Sequence, residues 1–423
     1  MKTKIYEPFP RAFLHVDGDS FFVACELASR PDLKGLPVIT GLEKGIVSAM
    51  SQEAKKRGIT RAMKLSDARK LCPGLVAISS DFQVYEAYSQ RMIAILKRYT
   101  KKVEAYSIDE CFVDITELAH ELHMNYTEIA ERMKRDLESE LGITFSVGVS
   151  ITKTLAKIAS GFKKPSGLTV VPGNEIDAFL NQVAIEDVWG IGRRTAIILR
   201  KWGIATAFQF TVKEDSWVRS FFSKPCQEIH QELQGVKIFS LHDGSRREYQ
   251  STSRTRTFSK PSQDESYVFA ELVRNVEHVC KTLRSRGTFA KKVSIFLKTQ
   301  QFTYEMVDFE LPYAAATPRE MMRIIRLRFN TLFQKGVMYR ATGVTVSQLS
   351  SYRETSLNLF NESEKSTVTD TIYESLDKLQ NKYGIPLVWI GSSIPRGSNT
   401  MKTVGTVKRF AKQFSIPSLG FVS

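Results

Sequence analysis

Three carboxylates stand at the ends of short apolar runs. Asp17 closes Ala12-Phe13-Leu14-His15-Val16-Asp17, and Gly18-Asp19-Ser20-Phe21-Phe22 follows directly. Asp109 and Glu110 lie in Ser107-Ile108-Asp109-Glu110, where two further apolar segments meet. Carboxylates gathered at one point repel each other, and such a cluster is costly unless cations neutralise it. Mg²⁺ suits the task, because it takes oxygen ligands and shares them with substrate phosphates. Two ions about 3.5–4 Å apart would activate an attacking oxygen and stabilise a leaving oxygen in phosphoryl transfer. Strand geometry sets a condition. Successive side chains on a strand face opposite sides, so Asp109 and Glu110 serve one site only at a turn or strand end. Taken singly, these strings are common, and surface or turn acids are the plain alternative. Asp19 is read as a turn acid.

The elements that must position these groups read as α/β. Residues 12–17 form a buried strand. Val38-Ile39-Thr40 and Ile46-Val47-Ser48 look like a strand pair around a glycine-flanked turn. Tyr85, Tyr88, Met92, Ile95, Leu96 and Tyr99 recur at helical spacing, which predicts an amphipathic helix over 83–99. Residues 103–115 give two short strands, and 144–149 another. Ser150 is the expected N-cap of a helix with Ile151, Leu155, Ile158 and Phe162 on its apolar face and Lys153 and Lys157 together on the opposite one. A helical module follows at about 175–245. Residues 251–350 then give strand, helix, strand, strand, helix, strand, at 252–258, 266–285, 291–299, 302–310, 318–335 and 341–347. That order predicts a sheet with helices on one face. The Ser/Thr-rich last stretch has one helix near 367–383 and reads as a partly flexible tail. No internal repeat is present.

Composition narrows the classes further. The 423 residues suggest several domains. With 42% hydrophobic and 25% charged residues, global disorder is excluded. No apolar stretch is long enough to span a membrane. Residues 1–11 lack the apolar core of a secretory signal. Five scattered cysteines without C-x-x-C spacing argue against disulfides or zinc and fit a reducing cytoplasm. His120 and His123 read as exposed residues of a charged helix, not as ligands. The net charge is +15, but it is unevenly spread: +3 over 1–245, +9 over 246–350 and +3 over 351–423. A concentrated positive surplus points to a polyanion, most often nucleic acid.

Several strings in register resemble the Y-family, translesion DNA polymerases, specifically bacterial UmuC- or DinB-type members. His15-Val16-Asp17-Gly18-Asp19-Ser20-Phe21-Phe22-Val23-Ala24-Cys25-Glu26 is similar to the family's first motif, and Tyr106-Ser107-Ile108-Asp109-Glu110-Cys111-Phe112-Val113-Asp114 to its second. Pro31-Asp32-Leu33-Lys34-Gly35-Leu36-Pro37-Val38, Gly148-Val149-Ser150, Ala156-Lys157-Ile158-Ala159 and Lys163-Lys164-Pro165-Ser166-Gly167 add to the match, which runs over about residues 12–350. The resemblance implies an α+β multidomain fold shaped like a right hand. The palm would be 1–26 and 86–183, the fingers 27–85, a helical thumb 184–245, an α+β little finger 246–350 and a tail 351–423. It implies that Asp17, Asp109 and Glu110, with the Gly18 carbonyl, hold two Mg²⁺ ions, and that Phe22 is the steric gate against a ribose 2′-OH. Lys55, Lys164 and Gln52 would meet the triphosphate. The fingers string departs from the commoner pattern, with Gln52 where many members have Tyr and Lys55 where many have Arg. Lysine binds phosphate as a point charge, not as a bidentate fork.

The remaining matches concern DNA and partners. Val188-Trp189-Gly190-Ile191-Gly192 resembles a helix-hairpin-helix, in which Gly190, Gly192 and Arg193 would hold a DNA phosphate at a helix N-terminus without reading sequence. Arg254 and Arg256 alternate on one strand face, and with Lys291 and Lys292 they would lie along duplex phosphates. Ser356-Leu357-Asn358-Leu359-Phe360 resembles a sliding-clamp-binding peptide, with Leu357, Leu359 and Phe360 as its apolar residues; Gln348-Leu349-Ser350 is an alternative start. The implied function is template-directed, error-prone translesion synthesis in the SOS damage response, in the cytoplasm at the nucleoid. Primer–template DNA, deoxynucleoside triphosphates, a sliding clamp and an accessory dimer of the polymerase V type are the implied partners. Two competitors stand beside it: a non-catalytic DNA-binding accessory protein, and a nuclease or nucleotidyl cyclase on a similar palm.

Overall fold

A computed structural model describes residues 8–242, 249–351, 362–383, 388 and 390–393, with the backbone alone for 362–370. The chain divides into two compact units, Met1–Arg246 and Arg247–Ser423.

The first unit carries β1 (Phe13–Gly18), β2 (Val38–Thr40), β3 (Ala49–Met50), β4 (Val76–Ile78), β5 (Val103–Ala105), β6 (Glu110–Asp114), β7 (Phe145–Ser150) and β8 (Leu168–Val171). Its main sheet runs β5-β6-β1-β7-β8. The central strand β1 is antiparallel to both neighbours, and only the β7–β8 pair is parallel. Two amphipathic helices cover one face. Phe82–Lys97 starts at Asp81, whose carboxylate accepts the Gln83 and Val84 N–H groups. Tyr126–Leu141 opens with an Asn125–Glu128 capping box. Tyr85, Met92, Ile95 and Leu96 from the first helix and Ile129, Met133 and Leu137 from the second pack on Leu14, Val16, Cys111, Val113, Val147 and Val149. Each such buried side chain contributes about 1.5–3 kcal/mol.

The opposite face meets the helix Lys153–Phe162. Its N-cap is Thr152, whose hydroxyl accepts the Leu155 N–H, and not Ser150 as the sequence suggested. Ser150 still belongs to β7 and donates its hydroxyl to the Val171 carbonyl, so the turn begins two residues later. Gly148 permits the close approach. A Cβ there would lie 2.1 Å from the Ala156 carbonyl oxygen and 2.2 Å from the Ser160 nitrogen. Lys153 and Lys157 do share a side of this helix, but that side is turned to the sheet. Lys153 is buried and ion-paired with Glu104 at 2.6 Å.

A small sheet, β3-β2-β4, follows β1 in the chain. Its second strand is Ala49–Met50, displaced from the expected 46–48; Ile46 makes only an isolated bridge to Lys64. The strand β4, parallel to β2, was not foreseen. Helices at Ile176–Leu180, Arg193–Lys201, Ala207–Thr211, Asp215–Phe221 and Lys224–Leu233 share a core with Leu155, Ile158 and Ala159. The fully buried Glu232 ties this module to the helix Lys153–Phe162. Its carboxylate accepts N–H groups from Thr154 (3.1 Å), Ile238 (2.7 Å) and Phe239 (2.8 Å).

The second unit carries β9 (Ser251–Ser262), β10 (Phe289–Thr299), β11 (Tyr304–Ala315) and β12 (Tyr339–Ser350), ordered β11-β10-β12-β9 and antiparallel throughout. Helices Glu265–Ser285 and Pro318–Leu332 cover one face. Val268, Leu272, Val276, Met321, Ile325 and Phe329 meet Val293, Ile295, Leu297, Val344 and Val346 there. This is the element order expected from sequence, with bounds shifted by a few residues. A further helix, Glu362–Tyr383, is held by a two-bond contact of Arg284 to Asp377 (2.7 and 2.9 Å). Among the described residues no helix is long and apolar enough to cross a membrane. All five cysteines are buried and unbridged.

Candidate active site

Antiparallel pairing of β1 with β6 sets Asp17 opposite Glu110. The Gly18 N–H donates to the Asp109 carbonyl at 2.9 Å. Four predicted residues therefore gather at one end of the main sheet. The strand-geometry condition is met, because β6 begins at Glu110 and Asp109 lies in the bend before it. The Ser107 hydroxyl donates to the Asp109 carboxylate at 2.5 Å and fixes its direction.

Lysines meet two of these acids. Lys164 Nζ lies 2.5 Å from Asp17 Oδ1, and Lys157 Nζ 2.7 Å from Glu110 Oε1. Behind Lys157, the buried His15 bonds Ser160 through Nδ1 (2.7 Å) and approaches Lys157 Nζ with Nε2 (3.5 Å). Burial, reinforced by the charges of Lys157, Lys164 and Lys153, holds the imidazole well below its ordinary pKa, so it is neutral. Burial pushes the Asp17 carboxyl up to about 6; Lys164 opposes this, while the charges of Glu110 and Asp109 add to it.

Among the described residues, no three His, Cys, Asp or Glu side chains are arranged as a ready metal cage. The chemistry of the donors nonetheless fits a hard divalent cation. The oxygens come from two strand ends, and burial, with the charges of Glu110 and Asp109 added to it, keeps Asp17 raised despite a lysine in contact.

Phe22 lies on the helix Phe21–Ala28, directly after the β1 turn. Its ring stacks on Tyr85 (centroids 4.5 Å apart, 16° between planes) and meets Phe82 edge-on at 5.6 Å. Tyr85 is itself fixed, fully buried with its hydroxyl donating to Glu26 at 2.8 Å. Gln52 and Lys55 lie on the short helix Gln52–Lys56 beside the small sheet, where Gln52 is half-buried and Lys55 exposed. No hydrogen bond or ion pair among the described residues joins either to the carboxylates.

Comparison with known proteins places the chain in a family. Residues 16–161 match the impB/mucB/samB family, and residues 249–359 match that family's C-terminal domain. DNA polymerase IV of Staphylococcus aureus strain JH9 is 32% identical over 342 residues, which span 80% of this chain and 95% of that protein. The strain Newman protein of the same name is 31% identical over the same length. The chain belongs to the Y family of DNA polymerases. A solved Y-family DNA polymerase chimera shares its fold, with a TM-score of 0.68 and 23% identity over 80% of this chain and 98% of the other. The α+β right-hand architecture expected from sequence is therefore present, and the protein is a DNA-directed DNA polymerase.

In this polymerase the turn at 188–192 follows a single 3-10 turn, Ile185–Asp187, and opens the helix Arg193–Lys201. Gly190 has φ +85, and a Cβ would lie 2.2 Å from Ile229 Cδ1, so only glycine fits the turn. Gly192 is the N-cap, and Arg193 and Arg194 are exposed. Trp189 turns inward, 5.5 Å from Tyr106 and 5.9 Å from Phe112, with Lys157 over its ring.

The second unit of the polymerase separates cations that the sequence reading grouped. Arg254 lies opposite Val344 and Arg256 opposite Thr342, on the face that the helices cover. Arg256 ion-pairs with the buried Glu271 of the helix Glu265–Ser285 at 2.8 Å. Lys292 faces the other way, opposite Ser347, and pairs with Asp308 at 2.9 Å. Lys291 lies at a break in register and donates to the Pro312 carbonyl. Lys298, which the sequence places at the end of the strand that Lys291 and Lys292 begin, shares the Lys292 face through strand alternation. Leu357, Leu359 and Phe360 lie outside the described residues.

The sequence reading also missed Asp19 and the Lys153–Glu104 pair. Asp19 is buried and accepts the Ser146 hydroxyl and the Ser166 N–H, both at 2.7 Å. Its place two residues after Asp17 was the one available signal.

Proposed function

We propose that this polymerase adds deoxynucleotides to a primer 3′-OH opposite a DNA template, with the primer oxygen attacking the α-phosphorus and pyrophosphate leaving. The observation that carries this reading is the register that sets Asp17 opposite Glu110 with Asp109 beside Gly18. Asp17, Asp109 and Glu110, with the Gly18 carbonyl, would hold Mg²⁺. Two bound ions supply charge neutralisation for the attacking and leaving oxygens. The chain's own groups do the positioning. Lys164 exchanges Asp17 for the triphosphate, and Lys55 and Gln52 reach it from the fingers. Phe22, braced by Tyr85, closes the space a 2′-OH would need. Gly190, Gly192 and Arg193 hold backbone phosphates of the duplex, and Arg254, Arg256, Lys291 and Lys292 add charge from the little finger.

The biological setting belongs to the same proposal: SOS-linked translesion synthesis at the nucleoid, tethering to a sliding clamp through Leu357, Leu359 and Phe360, and assistance from a polymerase V-type dimer. Primer extension with four deoxynucleoside triphosphates and Mg²⁺ tests the core of it. The wild type extends, and Asp109→Ala loses at least about a hundredfold in rate, the scale of removing one preorganised electrostatic group. Undiminished extension by the variant would sink the mechanism.

A further inference from the structure

Asp19 has no role in the chemistry above, yet it is 6% exposed and fully engaged. Its Oδ1 accepts the Ser146 hydroxyl and its Oδ2 the Ser166 N–H, each at 2.7 Å. Its own N–H donates to the Thr144 carbonyl at 3.0 Å. Ser166 lies two residues beyond Lys164 and has φ +53, a left-handed conformation that a non-glycine residue keeps only when its surroundings hold it there. Its hydroxyl is held separately, receiving from Lys134 Nζ (2.9 Å) and donating to Glu138 (3.1 Å).

The two acids of Asp17-Gly18-Asp19 thus hold loop 163–167 in different ways. Asp17 grips the Lys164 ammonium, a contact that a phosphate can replace. Asp19 grips the loop backbone, a contact that substrate need not disturb. We infer that Asp19 is a positioning residue for Lys164, anchoring loop 163–167 to the end of β1 so that the ammonium stands where the incoming triphosphate requires it. This inference rests on reading Lys164 as a triphosphate ligand. Asp19 touches no substrate, so its loss should weaken nucleotide binding and leave the chemical step nearly intact. Asparagine can keep both bonds, accepting from the Ser166 N–H and donating to the Ser146 oxygen.

The test uses the full chain on a primer–template with one complementary deoxynucleoside triphosphate. It measures KM and kcat for a single insertion, and equilibrium nucleotide binding on a dideoxy-terminated primer, for Asp19→Ala, Asp19→Asn, Lys164→Ala and the double variant Asp19→Ala/Lys164→Ala. Asp19→Ala should raise both KM and the nucleotide Kd roughly tenfold, the worth of one charge-assisted phosphate contact. kcat should change less than about threefold. Asp19→Asn should stay near wild type, and the double variant should be no worse than Lys164→Ala. If Asp19→Ala does not fold, Asp19→Ser, one bond too short to reach Ser166, carries the same comparison. Unchanged nucleotide affinity in a folded Asp19 variant, while Lys164→Ala weakens it, overturns the inference alone. So does additivity in the double variant. If Lys164→Ala itself leaves nucleotide affinity unchanged, the triphosphate reading falls and takes the inference with it.

Discussion

Asp17 shows how far one side chain departs from its free chemistry. Its carboxyl is pushed from 3.8 up to about 6, so the folded metal-free protein binds this proton more tightly than the unfolded chain. The contribution of Asp17 to stability then falls as pH rises from about 4 to about 6. Asp17→Asn removes that slope and should stabilise the metal-free protein above pH 6 by up to about 3 kcal/mol, with little effect at pH 4. Denaturant unfolding in chelator at both pH values checks it; equal shifts at both would count against the assignment. Phe22 makes the second prediction at this scale. Its ring is clamped between Tyr85 and Phe82, so it cannot yield to a larger sugar. Phe22→Ala should admit ribonucleotides at a rate near that for deoxynucleotides, measured by single insertion. Unchanged sugar discrimination rejects the gate. The three carboxylates could be singled out because two motifs in register resemble those of the family; taken alone, acids at the ends of apolar runs are common. Asp19 was not, because a buried acceptor of a backbone N–H 147 residues away leaves no local pattern.

At the scale of elements, periodicity served well where one face of an element is buried. The helix Phe82–Lys97 and all six elements of 251–350 are examples. It failed where both sides are covered. The helix Lys153–Phe162 has its apolar side on the core of the helices over 176–233 and its lysines under the sheet, so Lys153 looked like a surface cation. It is instead one partner of a pair in which both side chains are about 95% shielded, and it also lies 4.5 Å from the centre of the Phe112 ring. The Glu104 carboxylate in turn accepts the His242 N–H at 3.0 Å. Lys153→Met would strand Glu104 and should lower stability by about 3–5 kcal/mol. A urea titration with an unchanged midpoint would show that the pair is not needed. The short strands β3 and β4 were illegible or misplaced for a simpler reason. Two or three residues carry too little alternation to outvote the loops around them.

For the whole molecule, the net charge of +15 first pointed to nucleic acid, and the fold now divides that charge by face. Lys292 and Lys298 lie on the uncovered side of the second sheet, and Arg254 and Arg256 on the helix-covered side. Replacing both lysines by Ala should reduce the log–log salt slope of duplex binding by roughly 2. Replacing both arginines should change it less and lower the melting temperature, because Glu271 loses a partner. Equal slopes for both pairs would mean that the sheet face is not what meets DNA. The sequence showed how much charge that unit holds but not which side holds it, since facing depends on a strand register that only the folded sheet defines.

Trp189 has a different kind of consequence. It joins the turn at 188–192 to the sheet, with Tyr106 and Phe112 as ring neighbours and the Lys157 ammonium 5.9 Å above it. Indole emission responds to charge and polarity at the ring, and this ammonium is the one that bridges to Glu110. The polymerase thus carries, one side chain away from its carboxylates, an optical reporter of whether that bridge is open or closed.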